Sequence, residues 1–511
     1  MFVPFGVRDF LDRATTVYPD RVGIVDEPDQ PAVPWRELTY RRVGELARAQ
    51  AAGLDALGVP HGARVGIVSQ NSARLLTSFF GVSGHGRVLV PVNFRLSAEE
   101  VDYIVGHSGC DVLLVDPDVA ERLAGVACKH RFVMGAESDA ELYRFDVEPA
   151  PWEAEEDATA TINYTSGTTA RPKGVQITHR NIWVNAMTFA LHAGVSDRDV
   201  YLHTLPMFHA NGWGMPFAMT ALGVPHIVLR KVDGTEILRR VAEHGVTVMC
   251  AAPAVVNAVL TAAESWPGEI PGRDRVRIIC AGAPPPTRTI ARVESELGWE
   301  FIQIYGLTET SPLLTINRSR AEWDDLHPQQ RAENLARAGA PALGVTLRTS
   351  ASGEILARSN VILESYWQQP EETAEALADG WFHTGDGGTL GDDGYLTISD
   401  RRKDVIITGG ENVSSIEVED ALFSHPEVAE VAVIGVPDEK WGETIKALVV
   451  RAPGSEVTEA ELIRHCKERL AGYKAPTSVE FRGALERTAT GKLQKYKLRA
   501  PYWEGRERGV N

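Results

Sequence analysis

Between Thr39 and Val133, helix-period stretches alternate with short β-branched runs: the stretch around Leu46 to Leu57, then Arg64 to Ser69, a helical Ala73 to Val82, and Val88 to Val92. This rhythm indicates parallel α/β layering, because a strand that returns parallel to its neighbour needs a crossover, usually helical. Ser97 and Glu100 make a capping-box pair ahead of Val101, Ile104 and Val105, which share one helical face, and DVLLVD then reads as a buried strand. The alternation resumes after residue 158. There TATINY reads as a strand, TSGTTARPKG as a polar loop and THRNIWVNAMTFALHAG as a helix, so the loop is expected between a strand and a helix.

A chain of 511 residues exceeds the roughly 250 to 300 at which single hydrophobic cores stop growing, so two or more domains are expected. The stretches WEAEEDATA and 317–336 read as surface connections inside one large unit. Beyond GYLTISDRRKD the chain has its own order of apolar runs: VIIT, IEVEDALF, VAEVAVIGV, TIKALVV, EAELIRHCKERL and SVEF, enough for a small α+β domain. The polar SDRRKD between two strand-like runs places the break near Lys403, with the character of a hinge. The expected fold class is therefore α/β: a multi-layered N-terminal domain of α/β subdomains over 1–402, joined to a small α+β domain over 403–511.

A formal charge of -17 repels phosphate-rich polymers, which argues against nucleic acid as the main partner, so any anionic cofactor needs a local positive patch. The five cysteines, Cys110, Cys128, Cys250, Cys280 and Cys466, lack CxxC spacing, which fits a reducing cytoplasm and indicates neither a zinc site nor a disulfide framework. Arg8, Asp9, Asp12 and Arg13 interrupt the first residues, so no secretory signal is expected. No run of eighteen apolar residues occurs, so no membrane span is expected either.

The segment YTSGTTARPKGV, Tyr164 to Val175, holds the hydroxyls of Thr165, Ser166, Thr168 and Thr169, the glycines Gly167 and Gly174, and Lys173. Such a loop can wrap phosphate oxygens with hydroxyls, backbone N–H groups and one cation, although its spacing is not that of a GxxxxGK[ST] loop. It resembles the phosphate loop SGTTGxPKG of the adenylate-forming superfamily of acyl-CoA synthetases, adenylation domains and luciferases. Ala170 stands where that family commonly has glycine, which restricts the backbone at one position.

The resemblance extends along nearly the whole chain, with motifs in family order at 164, 205, 281, 303, 381, 401 and 492. QIYGLTETS, Gln303 to Ser311, is similar to the stretch in which an aromatic ring stacks on adenine and an acid meets the metal. This implies that Tyr305 stacks, Gly306 borders the acyl group, Thr308 holds the α-phosphate and Glu309 coordinates Mg²⁺, a hard dication that takes carboxylate oxygen. By the same resemblance, ICAGAPPP is expected to bring the backbone of Ala281, Gly282 and Ala283 toward adenine and the acyl group. WFHTGD and the following GYLTISDRRKD resemble the stretch in which Asp386 grips the ribose and Arg401 follows on the next strand; a carboxylate can accept both ribose hydroxyl protons. In LPMFHANGWG, His209 occupies the family's acyl-pocket position and is read as a gate or pocket wall, lined with Trp213 and Phe208. Trp183 and Phe217 are further aromatic side chains on which the shape of the acid pocket depends.

Near the C-terminus, ERTATGKLQKYKLR carries five basic residues from Arg487 to Arg499 and no acid in that span, and Lys492 in TGK matches the family's catalytic lysine. A cation about 4 Å from the reacting oxygens gains about 4 kcal/mol at an effective dielectric of about 20, roughly a thousandfold in rate. By the same resemblance Lys403 is the hinge about which the small domain rotates between half-reactions. Gly409 and Gly410 leave room for the pantetheine arm, and Trp441, Tyr473 and Lys474 are placed to meet the CoA nucleotide.

The implied activity is ATP-dependent adenylation of a small-molecule carboxylic acid followed by thioester formation with coenzyme A, with Mg²⁺ as cofactor. Two alternatives share the fold: an enzyme that thioesterifies only a pre-formed adenylate, and a stand-alone adenylation enzyme loading a carrier protein. A nucleotide-binding regulator without turnover is disfavoured by the retained Glu309, Asp386 and Lys492. The acid itself is not legible, and a homodimer is compatible with the sequence.

Overall fold

The computed structural model describes residues 1–165, 171–401, 404–408, 411–438, 441–487 and 493–504, and the side chains of all of these except residues 400, 401 and 412. Residues Ser166, Gly167, Thr168, Thr169, Ala170, Lys403, Gly409, Gly410 and Lys492, singled out above, lie outside the described residues.

Among the described residues the strands form four sheets. In the first, the strands Arg64–Val68, Val88–Val92, Cys110–Val115 and His130–Val133 run parallel, with Thr159–Thr165 parallel to Val88–Val92. Three helices of this layer start at side-chain caps: Thr39 caps Tyr40–Ala56, Ser72 caps Ala73–Gly81, and Ser97 with Glu100 forms the expected capping box of Ala98–Ser108. Val88 through Val92 are buried along their whole length, as a strand covered on both faces must be.

One local expectation is corrected. The phosphate loop does not run from a strand into a helix. Lys173–Thr178 is a strand antiparallel to Thr159–Thr165, with Thr165 opposite Lys173, and the helix His179–Ala193 begins only after it. The predicted loop thus connects two antiparallel strands. The strand was hidden by its neighbours: five residues separate Pro172 from the N-cap Thr178, and only the fully buried Val175 and Ile177 mark its inner face.

The second sheet has a parallel centre, with Glu300–Gly306, Arg277–Cys280, Val248–Ala251, Tyr201–His203, His226–Val228 and Val22–Val25 side by side. Antiparallel strands such as Leu313–Asn317 and Glu37–Thr39 flank it. A third, smaller antiparallel sheet contains Glu354–Arg358, Phe382–Leu390 and Leu396–Arg401.

The fourth sheet belongs to a small C-terminal domain. Val428–Asp438 and Gly442–Arg451 make a long antiparallel pair, and Ser478–Phe481 joins parallel to the latter. The helices Ser415–Phe423 and Glu459–Lys467 cover one face over Ile406, Leu422, Val433, Ile445, Val449 and Leu462. On the other face Leu485 and Leu498 pack on Ala432, Ile434 and Leu448. Asp420 of this domain meets the larger one at Thr287, accepting from the backbone N–H at 3.0 Å and from the hydroxyl at 3.3 Å, and Arg288 donates to the His425 carbonyl at 3.2 Å. No helix among the described residues is long and apolar enough to cross a membrane.

Candidate active site

In an open parallel sheet, ligands bind beyond the carboxyl ends of the strands. Three predicted segments leave the second sheet at that edge: residues 204–209 after Tyr201–His203, Ala281 to Ala283 after Arg277–Cys280, and Thr308 with Glu309 after Glu300–Gly306. The hairpin of the first sheet and Asp386 of the third sheet meet them there through three sets of side-chain contacts.

The first joins Tyr305 to Asp386: the phenol donates to carboxylate Oδ2 at 2.8 Å, and both residues are 8% exposed. Asp386 also stands opposite Arg401 in the ladder of the third sheet, although the Arg401 side chain lies outside the described ones. An aromatic platform and a carboxylate acceptor, expected for adenine and ribose, are thereby held side by side from two sheets.

The second centres on Tyr366, which the motif reading missed. Its hydroxyl donates to Glu309 Oε1 at 3.0 Å, and the Lys173 ammonium lies 5.0 Å from its ring centroid. Burial, with the Glu309 carboxylate adding to it, pushes this phenol far above the usual range, so it stays a proton donor at neutral pH. The only available sequence signal was an aromatic pair, Tyr366 and Trp367, shortly before Pro370.

The third links the phosphate-loop strand to the predicted acyl pocket. Thr161 donates to Asn163 Oδ1 at 2.9 Å, Asn163 to Asn211 Oδ1 at 3.0 Å, and Asn211 to Thr161 Oγ1 at 2.9 Å, which closes a buried polar ring. Asn163 also donates to the Phe208 carbonyl at 3.3 Å. Asn211 needs this support, since Ala210, Asn211, Gly212, Trp213 and Gly214 all have positive φ, between 44° and 80°. A left-handed turn costs roughly 1–2 kcal/mol for each non-glycine residue.

Of the predicted acyl-pocket residues, Trp213 and Ala281 share one buried cluster with Leu205 and Ile304. Phe208 is buried edge-on to Phe94, and His209 is half-buried at the entry to the left-handed turn. Trp183 does not join them: its ring stacks on Phe5 at 4.1 Å and on Phe10, because the N-terminal helix Arg8–Val17 covers that side of its helix. Phe217 is likewise a core residue, among Phe10, Phe79 and Phe80.

Gly306 has a packing reason for lacking a side chain, since a Cβ there would fall 1.5 Å from the Pro312 carbonyl oxygen. Gly174 is roofed by the Tyr164 ring and Trp367. On the small domain Trp441 and Tyr473 are exposed, and the Lys474 ammonium is paired with Glu417 at 2.7 Å. Arg487, Lys495 and Arg499 are tied to Glu430, Glu419 and Asp404, so the basic strip flanking residue 492 is anchored by acids.

Residues 11–367 match the AMP-binding enzyme family and residues 417–492 its C-terminal domain. The chain belongs to the AMP-binding enzyme family. It is 38% identical to 4-hydroxybutyrate--CoA ligase 2 of Metallosphaera sedula, across 96% of this chain and 93% of that protein. It is 37% identical to 2-methylpropanoate--CoA ligase CCL4 of Humulus lupulus, across 97% and 95%. In three dimensions it resembles O-succinylbenzoate Coenzyme A Synthetase from Bacillus subtilis in complex with AMP, with a TM-score of 0.80, 28% identity, and 96% and 98% of the two chains covered. The protein is thus an adenylate-forming acyl-CoA synthetase, an AMP-forming acid–thiol ligase using ATP, Mg²⁺ and CoA.

The residues present fit these groups. Glu309 offers hard oxygen beside a phenol, a donor set suited to Mg²⁺, and Tyr305 with Asp386 offers a platform and an acceptor suited to a nucleoside.

Proposed function

We propose that the enzyme activates a short aliphatic carboxylic acid of about four carbons, with the site residues dividing the work as follows. Tyr305 stacks on adenine and Asp386 accepts from the ribose. Thr165, Ser166, Gly167, Thr168, Thr169, Lys173 and Thr308 surround the phosphates, and Glu309 holds Mg²⁺, which supplies charge neutralisation on the phosphate oxygens. One oxygen of the acid attacks the α-phosphorus and pyrophosphate leaves. Lys492, brought in by the small domain, stabilises the charge that develops there. Rotation about Lys403, the boundary between 1–402 and 403–511, then admits CoA past Gly409 and Gly410. Its sulfur attacks the acyl carbon, AMP leaves, and the thiol proton passes to solvent.

The observation that carries this reading is the bond between Tyr305 and Asp386, which joins the two nucleoside-binding motifs at the carboxyl edge of the parallel sheet. Short acids are favoured by the names of the two curated relatives and by the bulk of Trp213 in the apolar cluster beside Ala281. All five cysteines are free thiols, which supports a reducing compartment such as the cytoplasm. The test is pyrophosphate release and CoA-thioester formation across linear and branched acids of two to eight carbons, with benzoate as an aromatic control. The highest kcat/KM is expected at four carbons; a preference for benzoate or for the longest acids would refute the assignment.

A further inference from the structure

Tyr366 lies outside every motif used above, yet it touches two of them. It belongs to the short strand Ser365–Tyr366, which adds to the outer edge of the phosphate hairpin with Tyr366 opposite Val175. The backbone on both sides is pinned: Glu364 N–H donates to the Gln176 carbonyl at 3.1 Å, and Trp367 N–H to the Gly174 carbonyl at 2.7 Å. The same segment reaches the other motif, because Leu363 N–H donates to the Glu309 carbonyl at 2.7 Å. Tyr366 N–H itself donates to Thr373 Oγ1 at 2.9 Å. The ring is therefore fixed relative to both the hairpin and the turn that carries Glu309.

From that position the two parts of one side chain do different work. The π face receives the Lys173 ammonium, 5.0 Å from the centroid, where the ring quadrupole attracts a cation. The hydroxyl donates to Glu309 Oε1 at 3.0 Å, a charge-assisted bond. A cation and an anion destined for the same triphosphate gain by neutralising each other in an empty site; a neutral, rigid group that engages each one separately opposes that collapse. It commits one carboxylate oxygen and so sets the direction of the other.

We propose that Tyr366 is a positioning residue for adenylation, orienting Glu309 toward the divalent cation and Lys173 toward the phosphates. This rests on the reading of Glu309 as the metal acid, and the experiment separates the two. Mn²⁺ replaces Mg²⁺, and its affinity for the enzyme–ATP complex is read by electron paramagnetic resonance in wild type, Tyr366→Phe, Tyr366→Leu and Glu309→Gln. ATP affinity without metal is read by calorimetry, and folding by thermal melts.

Tyr366→Phe keeps the ring and is expected to weaken Mn²⁺ about 10-fold, the lower end of what loss of a ligand's hydrogen-bond partner costs, with metal-free ATP affinity and melting temperature unchanged. Tyr366→Leu is expected to weaken metal-free ATP binding as well, because the Lys173 platform is gone. If Glu309→Gln weakens Mn²⁺ and Tyr366→Phe does not, the role of Tyr366 is overturned while Glu309 stands. If Glu309→Gln leaves Mn²⁺ unaffected, the metal assignment itself fails. Should Tyr366→Phe lower metal-free ATP affinity and melting temperature together, Tyr366 is a packing residue and the proposal is wrong.

Discussion

The phenol of Tyr305 donates to the carboxylate of Asp386 at 2.8 Å, so residues 81 positions apart in sequence are joined in the pair proposed above to bind the nucleoside. Tyr305→Phe preserves the stacking surface and removes the bond, worth about 0.5–1.5 kcal/mol net. A rise of roughly 3- to 10-fold in the KM for ATP is expected, with kcat little changed. Asp386→Ala should cost more, because it removes the acceptor itself. Pyrophosphate-exchange kinetics at varied ATP check both; an unchanged KM in Tyr305→Phe would mean that the bond contributes nothing to nucleotide binding.

The ring of Thr161, Asn163 and Asn211 makes a prediction for the acid rather than the nucleotide. Asn211→Ala strands buried partners and weakens the hold on a left-handed turn, at an expected cost of about 2–3 kcal/mol in urea unfolding. The KM for the acid should rise more than that for ATP, since the turn carries Trp213. Equal effects on both would sever the turn from acid recognition.

Lys492 and Lys403 are predicted on their motif positions alone. Lys492→Ala should lower adenylation by at least about 100-fold and spare thioester formation from synthetic acyl-adenylate. Lys403→Pro should do the reverse by stiffening the connection between domains. Running both half-reactions for each variant decides the matter: parallel losses refute the division of labour.

Buried histidines set an acid limit on stability. Burial lowers His226 to about 3 and both His85 and His179 to about 4, and it depresses His203, stacked on His226, well below its usual value. All four are neutral when folded, whereas the unfolded chain takes up protons below about 6.5. Stability is therefore complete above about pH 6.5 and falls as the pH drops toward 4, by at most about 1.4 kcal/mol per pH unit for each group. Urea unfolding at pH 7.5, 6 and 5 should trace this slope, and His226→Gln should flatten it. A pH-independent midpoint would contradict the burial argument.

The α/β layering, the capping box at Ser97 and Glu100, and the existence of a small C-terminal domain were legible because each has a local signature. The family was legible through the resemblance of its motifs. What escaped were features made by distant parts of the chain. The strand Lys173–Thr178 has only two fully buried side chains to announce it, and a partner strand decides its fate. Tyr366 gains meaning only when an edge strand brings it against Lys173 and Glu309. Trp183 resembles a pocket aromatic until the N-terminal helix lies across it.

The contact of Asp420 with Thr287 bears on the domain rotation proposed above. Its two hydrogen bonds, with a third from Arg288 to the His425 carbonyl, contribute about 0.5–1.5 kcal/mol each after competition with water. A latch of that strength holds a resting orientation without trapping it. Thr287 opens the helix Thr287–Arg292, which follows the Ala281 to Ala283 segment, so a ligand seated there needs only a few kcal/mol of preference between orientations to tip the balance.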